Sequence, residues 1–97
     1  MPTYVTLVKW TDQGIRNVKD APKRAEAFEA ALKANGGRLK DIYLVMGKYD
    51  LVVVTESPND ETVARMTLAT AMAGNVRTTT MRAFNREEFG KIIAGLP

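Results

Sequence analysis

The side chains in this chain that could do chemistry are tyrosines, arginines and carboxylates, because it contains neither histidine nor cysteine. Losing histidine removes the commonest general base and the commonest metal ligand. It also excludes a haem held by a proximal histidine and a His–Asp acid/base pair. A metal ion would have to rely on Asp and Glu alone. The acidic pair Asp60-Glu61 reads instead as compensation for a helix dipole, so no metal site is expected. Ser57 is the one serine, so a serine triad has little to build on, and its position suits a helix cap. Without cysteine there is neither disulfide nor thiolate chemistry, which fits a reducing cytoplasm, the expected location.

What remains is a constellation. Tyr4, Trp10, Tyr43 and Tyr49 supply aromatic surface, Arg16 and Asn17 follow the first apolar run, and Arg77, Thr79 and Arg82 lie on the last. An apolar wall with a few polar groups is the general description of a small-molecule site. The candidate ligand-contacting residues are therefore Trp10, Arg16, Asn17, Tyr49, Asp50, Arg77, Thr79 and Arg82. Each also has a structural use. The aromatics suit interface packing, and Arg77 and Arg82 suit ion pairs with Glu56 or Glu88. The Thr78–Thr80 run suits a strand. Asp50 reads as an acceptor for backbone N–H groups at a turn.

These residues need elements to hold them. Thr3–Trp10 alternates as a strand, with Tyr4, Thr6, Val8 and Trp10 on one side and Val5, Leu7 and Lys9 on the other. Thr11-Asp12-Gln13-Gly14 breaks it, and Ile15–Lys19 reads as a short helical turn. Asp20 is placed as an N-cap, with Pro22 in the first turn of a helix over 21–34. Ala21, Ala25, Phe28 and Leu32 share the face that should meet a sheet. Asn35-Gly36-Gly37 ends that helix.

Arg38–Met46 and Asp50–Glu56 read as a second and third strand joined by a hairpin. Gly47 is the residue between them that reaches positive φ without steric cost. Ser57-Pro58-Asn59-Asp60-Glu61 starts a second helix, with Ser57 as cap and Pro58 in first position, running to about Ala73. Gly74-Asn75 ends it. Val76–Phe84 is the fourth strand. Asn85 caps a last helix whose apolar stripe is Phe89, Ile92, Ile93 and Leu96. The order is strand, helix, strand, twice over. It predicts one domain over 1–97, α+β in class, with a ferredoxin-like βαββαβ fold: a four-stranded antiparallel sheet with both main helices on one face, plus a C-terminal helix.

Two helices can cover only one face of such a sheet. Yet Leu51-Val52-Val53-Val54 shows no polar alternation, and Tyr43 and Val45 oppose Ile42, Leu44 and Met46. A solvated face should alternate, so the second face calls for cover. A second copy is the simplest cover, and the last helix is too short to span four strands. A homodimer or larger homo-oligomer is expected.

The pattern resembles the GYD-domain family. The resemblance runs over essentially the whole chain and rests on four blocks in order. They are Thr11 to Asn17, Gly47-Lys48-Tyr49-Asp50-Leu51, Ser57-Pro58-Asn59-Asp60-Glu61, and Gly74-Asn75-Val76-Arg77-Thr78 leading to Met81-Arg82-Ala83-Phe84. It implies a dimeric α/β-barrel type of fold and no settled activity. The Gly-x-Tyr-Asp hairpin is also similar to one in the ligand-binding domain of leucine-responsive regulators, where a dimer-interface pocket binds amino acids. The helix-turn-helix of those regulators is absent from this chain.

At 97 residues the chain can bury a core unaided. Its formal charge of +3 is dispersed among 11 acidic residues, so no nucleic-acid footprint is expected. No signal peptide and no membrane-spanning stretch is expected. Two function classes stay open. One is a non-catalytic oligomeric module that binds a small ligand, an anionic one among the options, or a protein partner where sheets meet. The other is a cofactor-free enzyme, isomerase- or monooxygenase-like, using Tyr49, Asp50 or Arg82. Neither needs a cofactor.

Overall fold

A computed structural model describes residues 1–97. β1 (Thr3–Trp10) leads into α1 (Asp12–Arg16), a 3-10 turn at Val18–Asp20 and α2 (Ala21–Ala34). Then come β2 (Arg38–Leu44), β3 (Leu51–Glu56), α3 (Asp60–Met72), β4 (Val76–Ala83) and α4 (Arg86–Ala94). The strands form one antiparallel sheet in the order β2-β3-β1-β4. This is the expected ferredoxin-like layout, with β1 and β3 central. The sheet is open and does not close into a barrel within one chain.

The strand alternation sets the layers. Tyr4, Val8, Val53 and Val76 are buried beneath α2 and α3, with Leu32 and Met66 reaching down from the helices. Val8, Val53 and Val76 form the core cluster, and Phe28 packs on it as the periodicity of α2 predicts. Residues one step along each strand face the other way. β2 departs from plain pairing at Lys40, where a bulge separates Leu39↔Thr55 from Asp41↔Val54.

Local signals placed several boundaries wrongly. Ser57 does not cap α3. The cap is Asn59, whose side chain accepts from the Thr62 N–H at 2.9 Å, so Pro58 precedes the cap rather than opening the helix. Asn suits an N-cap as well as Ser does, and Ser57 is drawn into the interior at 0% exposure, where its backbone N–H donates to the Pro2 carbonyl and continues the central β1–β3 ladder. Its hydroxyl has no partner there. Asp20 stands at the N-cap position of α2 as expected, but makes no side-chain cap bond, because the preceding 3-10 turn already holds it in helical conformation. The helical turn after β1 begins at Asp12, capped by Thr11, earlier than Ile15. β2 stops at Leu44, β3 starts at Leu51, and β4 stops at Ala83.

α4 carries a complete capping box between Asn85 and Glu88. Phe89, Ile92, Ile93 and Leu96 nevertheless stay about half exposed. The molecule is elongated, 51 × 31 × 18 Å, and α4 does not cover the open face of the sheet.

Candidate functional site

Three surfaces could carry function: the open sheet face, the hairpin beside it, and a cavity under the helices. The open face presents Val5 and Leu7 from β1, Val52 and Val54 from β3, and Met81 from β4, all on the side away from the helices. Met81 is 43% exposed, and Tyr43 on β2 is 55% exposed. One end of this face is cationic. Lys9 stands directly opposite Arg77 on the neighbouring strand, and neither forms an ion pair. Like charges in opposed positions of a ladder repel, so an acidic group on a partner would be favoured there.

The hairpin is built around Gly47, whose φ of +122° requires glycine. Val45 N–H donates to the Asp50 carbonyl at 2.8 Å and closes the loop. Asp50 is the structural acceptor its position suggests, but the donor is not in the turn. Its Oδ2 accepts from the Trp10 N–H on β1 at 2.9 Å, and its own N–H donates to the Val8 carbonyl at 2.8 Å. The carboxylate thus replaces a backbone carbonyl one step beyond the last β1–β3 pair. Tyr49 is half-buried, with the Lys48 ammonium 5.8 Å from its ring centre.

The remaining proposed residues are not gathered in one place. Trp10 lies on the helix-covered face and lines the cavity, whereas Arg77 and Thr79 lie on the open face. Arg82 sits at the far end of β4, opposite Tyr4. Its guanidinium is 4.4 Å from the Phe84 ring centre and pairs with Glu88 at 3.8 Å. Arg16 is exposed in the last turn of α1. Asn17 caps the end of α1, its side chain donating to the Gln13 carbonyl at 3.0 Å.

Near Arg82, the buried Tyr4 donates its hydroxyl to Asp60 at the start of α3. Burial, and after it the Asp60 carboxylate, push the Tyr4 phenol up to about 12. That phenol stays protonated at neutral pH. No group of three or more carboxylates is assembled to hold a metal ion.

The cavity lies between the sheet and the two long helices and has a volume of about 110 Å³. Trp10, Phe28, Val53 and Met66 are among its walls. Arg24 also lines it, and sequence reading missed that residue. The signal was present: Arg24 lies three residues after Ala21 and four before Phe28, on the apolar face of α2.

Comparison with known proteins places this geometry. The model of the family described as GYD domain matches residues 4–93. A Thermus thermophilus protein named glutamine synthetase and cystathionine beta-lyase binding protein is 37% identical over 84 residues, covering 86% of this chain and 88% of that one. Among solved structures, the leucine response regulatory protein of Mycobacterium tuberculosis superposes with a TM-score of 0.65 at 19% identity over 87% of this chain. A feast or famine regulatory protein of M. tuberculosis, complexed with L-methionine, does so with a TM-score of 0.66 at 19% identity over 88% of this chain. The chain spans 51% of the length of either regulator, and the likeness to them is one of fold.

Proposed function

The chain belongs to the GYD-domain family, and on that footing we propose that it is a non-catalytic binding module that associates with itself through the open sheet face. A protein partner, or a small anionic ligand, is held at the margin of the same face. The observation that carries this reading is the uncovered apolar surface of Val5, Leu7, Val52, Val54 and Met81, with the Lys9–Arg77 pair at its edge. An apolar face of this extent favours burial against another protein surface. A second copy meets it with matching shape through twofold symmetry.

Two further facts favour binding over catalysis. Asp50 is committed to the Trp10 N–H, and the Tyr4 phenol is held protonated beside Asp60. The Tyr4 phenol is therefore not tuned for proton transfer near neutrality, and the Asp50 carboxylate is occupied by a structural bond. The name of the Thermus relative points to enzymes as partners. A cytoplasmic location, where such enzymes would be met, is part of this proposal.

Sedimentation equilibrium at micromolar concentration tests it. The expected result is a dimer or larger species that Leu7→Lys converts to a folded monomer. A monomeric parent protein would overturn the self-association reading. Binding of glutamine synthetase or cystathionine beta-lyase from the same organism, weakened by Lys9→Glu, would support the partner reading.

A further inference from the structure

The cavity under the helices lies on the opposite side of the sheet from the surface proposed for association, and it has its own chemistry. Its walls are mainly hydrocarbon, with Val53, Phe28 and Met66 among them. Thr67 and Thr70 also line it, but their hydroxyls are committed to the Val63 and Met66 carbonyls, each at 2.8 Å. Thr55 and Thr78 line it from the sheet.

Arg24 is the one charged residue in the lining. It is half-buried and makes no ion pair. Its Nη1 donates to the Asn17 carbonyl at 3.0 Å and its Nη2 to the Gly14 carbonyl at 3.4 Å. Those bonds fix the guanidinium against the end of α1 without neutralising it. A partly desolvated guanidinium gains from a carboxylate, which it can meet with two parallel hydrogen bonds.

We propose that this cavity binds a short-chain monocarboxylate, its hydrocarbon end enclosed by the core and its carboxylate at Arg24. Size sets the upper limit. An apolar cavity of about 150 Å³ accommodates benzene, so 110 Å³ admits a smaller hydrocarbon, of roughly four or five carbons. Charge sets the class. No Asp or Glu lines the cavity, so a ligand that also carries an ammonium would bury it without a partner. A fatty acid of four to six carbons fits, and a free amino acid with the same side chain does not.

The test uses the full chain, with its methyl groups followed by NMR while butyrate, isovalerate, butanol, isoamylamine and leucine are titrated in turn. The expected result is saturable shifts of the Val53 and Met66 methyls with butyrate and isovalerate, and at least tenfold weaker binding of the alcohol, the amine and leucine. Arg24→Gln should abolish the preference for the carboxylate. Ala25→Leu, which fills the cavity while leaving Arg24 in place, should abolish binding with an unchanged melting profile. Absence of saturable shifts with either acid, or equal binding of acid and amine, overturns the proposal. Sedimentation of the same samples reads self-association separately, so failure here leaves the open-face reading standing.

Discussion

The carboxylate of Asp50 and the backbone N–H of Trp10 are joined across two strands by a 2.9 Å hydrogen bond. Through it the hairpin between β2 and β3 is tied to the end of β1, where the ladder would otherwise leave a donor unmet. Asp50→Asn keeps an acceptor oxygen and should cost little. Asp50→Ala leaves the Trp10 N–H without its partner and should cost about 1 kcal/mol or more. Urea denaturation of the two variants checks this, and equal midpoints would contradict it.

Gly47 and Gly14 should fail for different reasons when substituted. At Gly47 an added Cβ meets no atom within 4 Å, so the cost of Gly47→Val is purely the strain of φ +122°. That should be about 1–3 kcal/mol. At Gly14 an added Cβ would lie 2.0 Å from the Asn75 carbonyl oxygen, which α1 must clear to latch onto the start of β4. Gly14→Ala should cost about 3 kcal/mol. Chemical denaturation should therefore rank Gly14→Ala at least as damaging, although alanine is the smaller insertion.

The two residues that compete for the α3 cap can be told apart. Asn59→Ala removes the bond to the Thr62 N–H and should destabilise by about 1 kcal/mol. Ser57→Ala removes a buried hydroxyl that has no partner, and should be neutral or stabilising. Thermal unfolding of the two variants gives the order directly, and a larger loss from Ser57→Ala would restore it as the cap.

Tyr4 gives the fold a dependence on alkaline pH. Burial is the main reason its phenol is pushed up to about 12, with the Asp60 carboxylate adding to it. The unfolded value is about 10. A folded-state value above the unfolded one means stability that is fully present below pH 10 and lost as pH rises toward 12. Denaturation midpoints should fall across that window in the parent chain. Tyr4→Phe should be flatter there, while starting lower because Asp60 loses its donor.

Much of the fold was legible in the sequence because it rests on local, periodic signals. Two-residue alternation marked β1 and β4, runs of β-branched and aliphatic residues marked β2 and β3, the α2 stripe of Ala21, Ala25, Phe28 and Leu32 marked a buried face, and Gly47 marked the hairpin. The capping error at Ser57 came from a second residue suited to a cap, Asn59, lying two positions on. Which one serves is decided by where the chain must leave the sheet, and no local signal carries that. The candidate site was scattered for a related reason. Sequence alternation tells which residues of one strand share a side, but pairing register tells which sides of different strands coincide. Trp10 pairs with Val76, and that register sends Trp10 beneath the helices and Arg77 to the open face beside Lys9. Composition alone determined the absence of histidine and cysteine chemistry. Only the packing of α2 against the sheet could set Arg24 in an apolar cavity, because a cavity is the space several separate elements fail to fill.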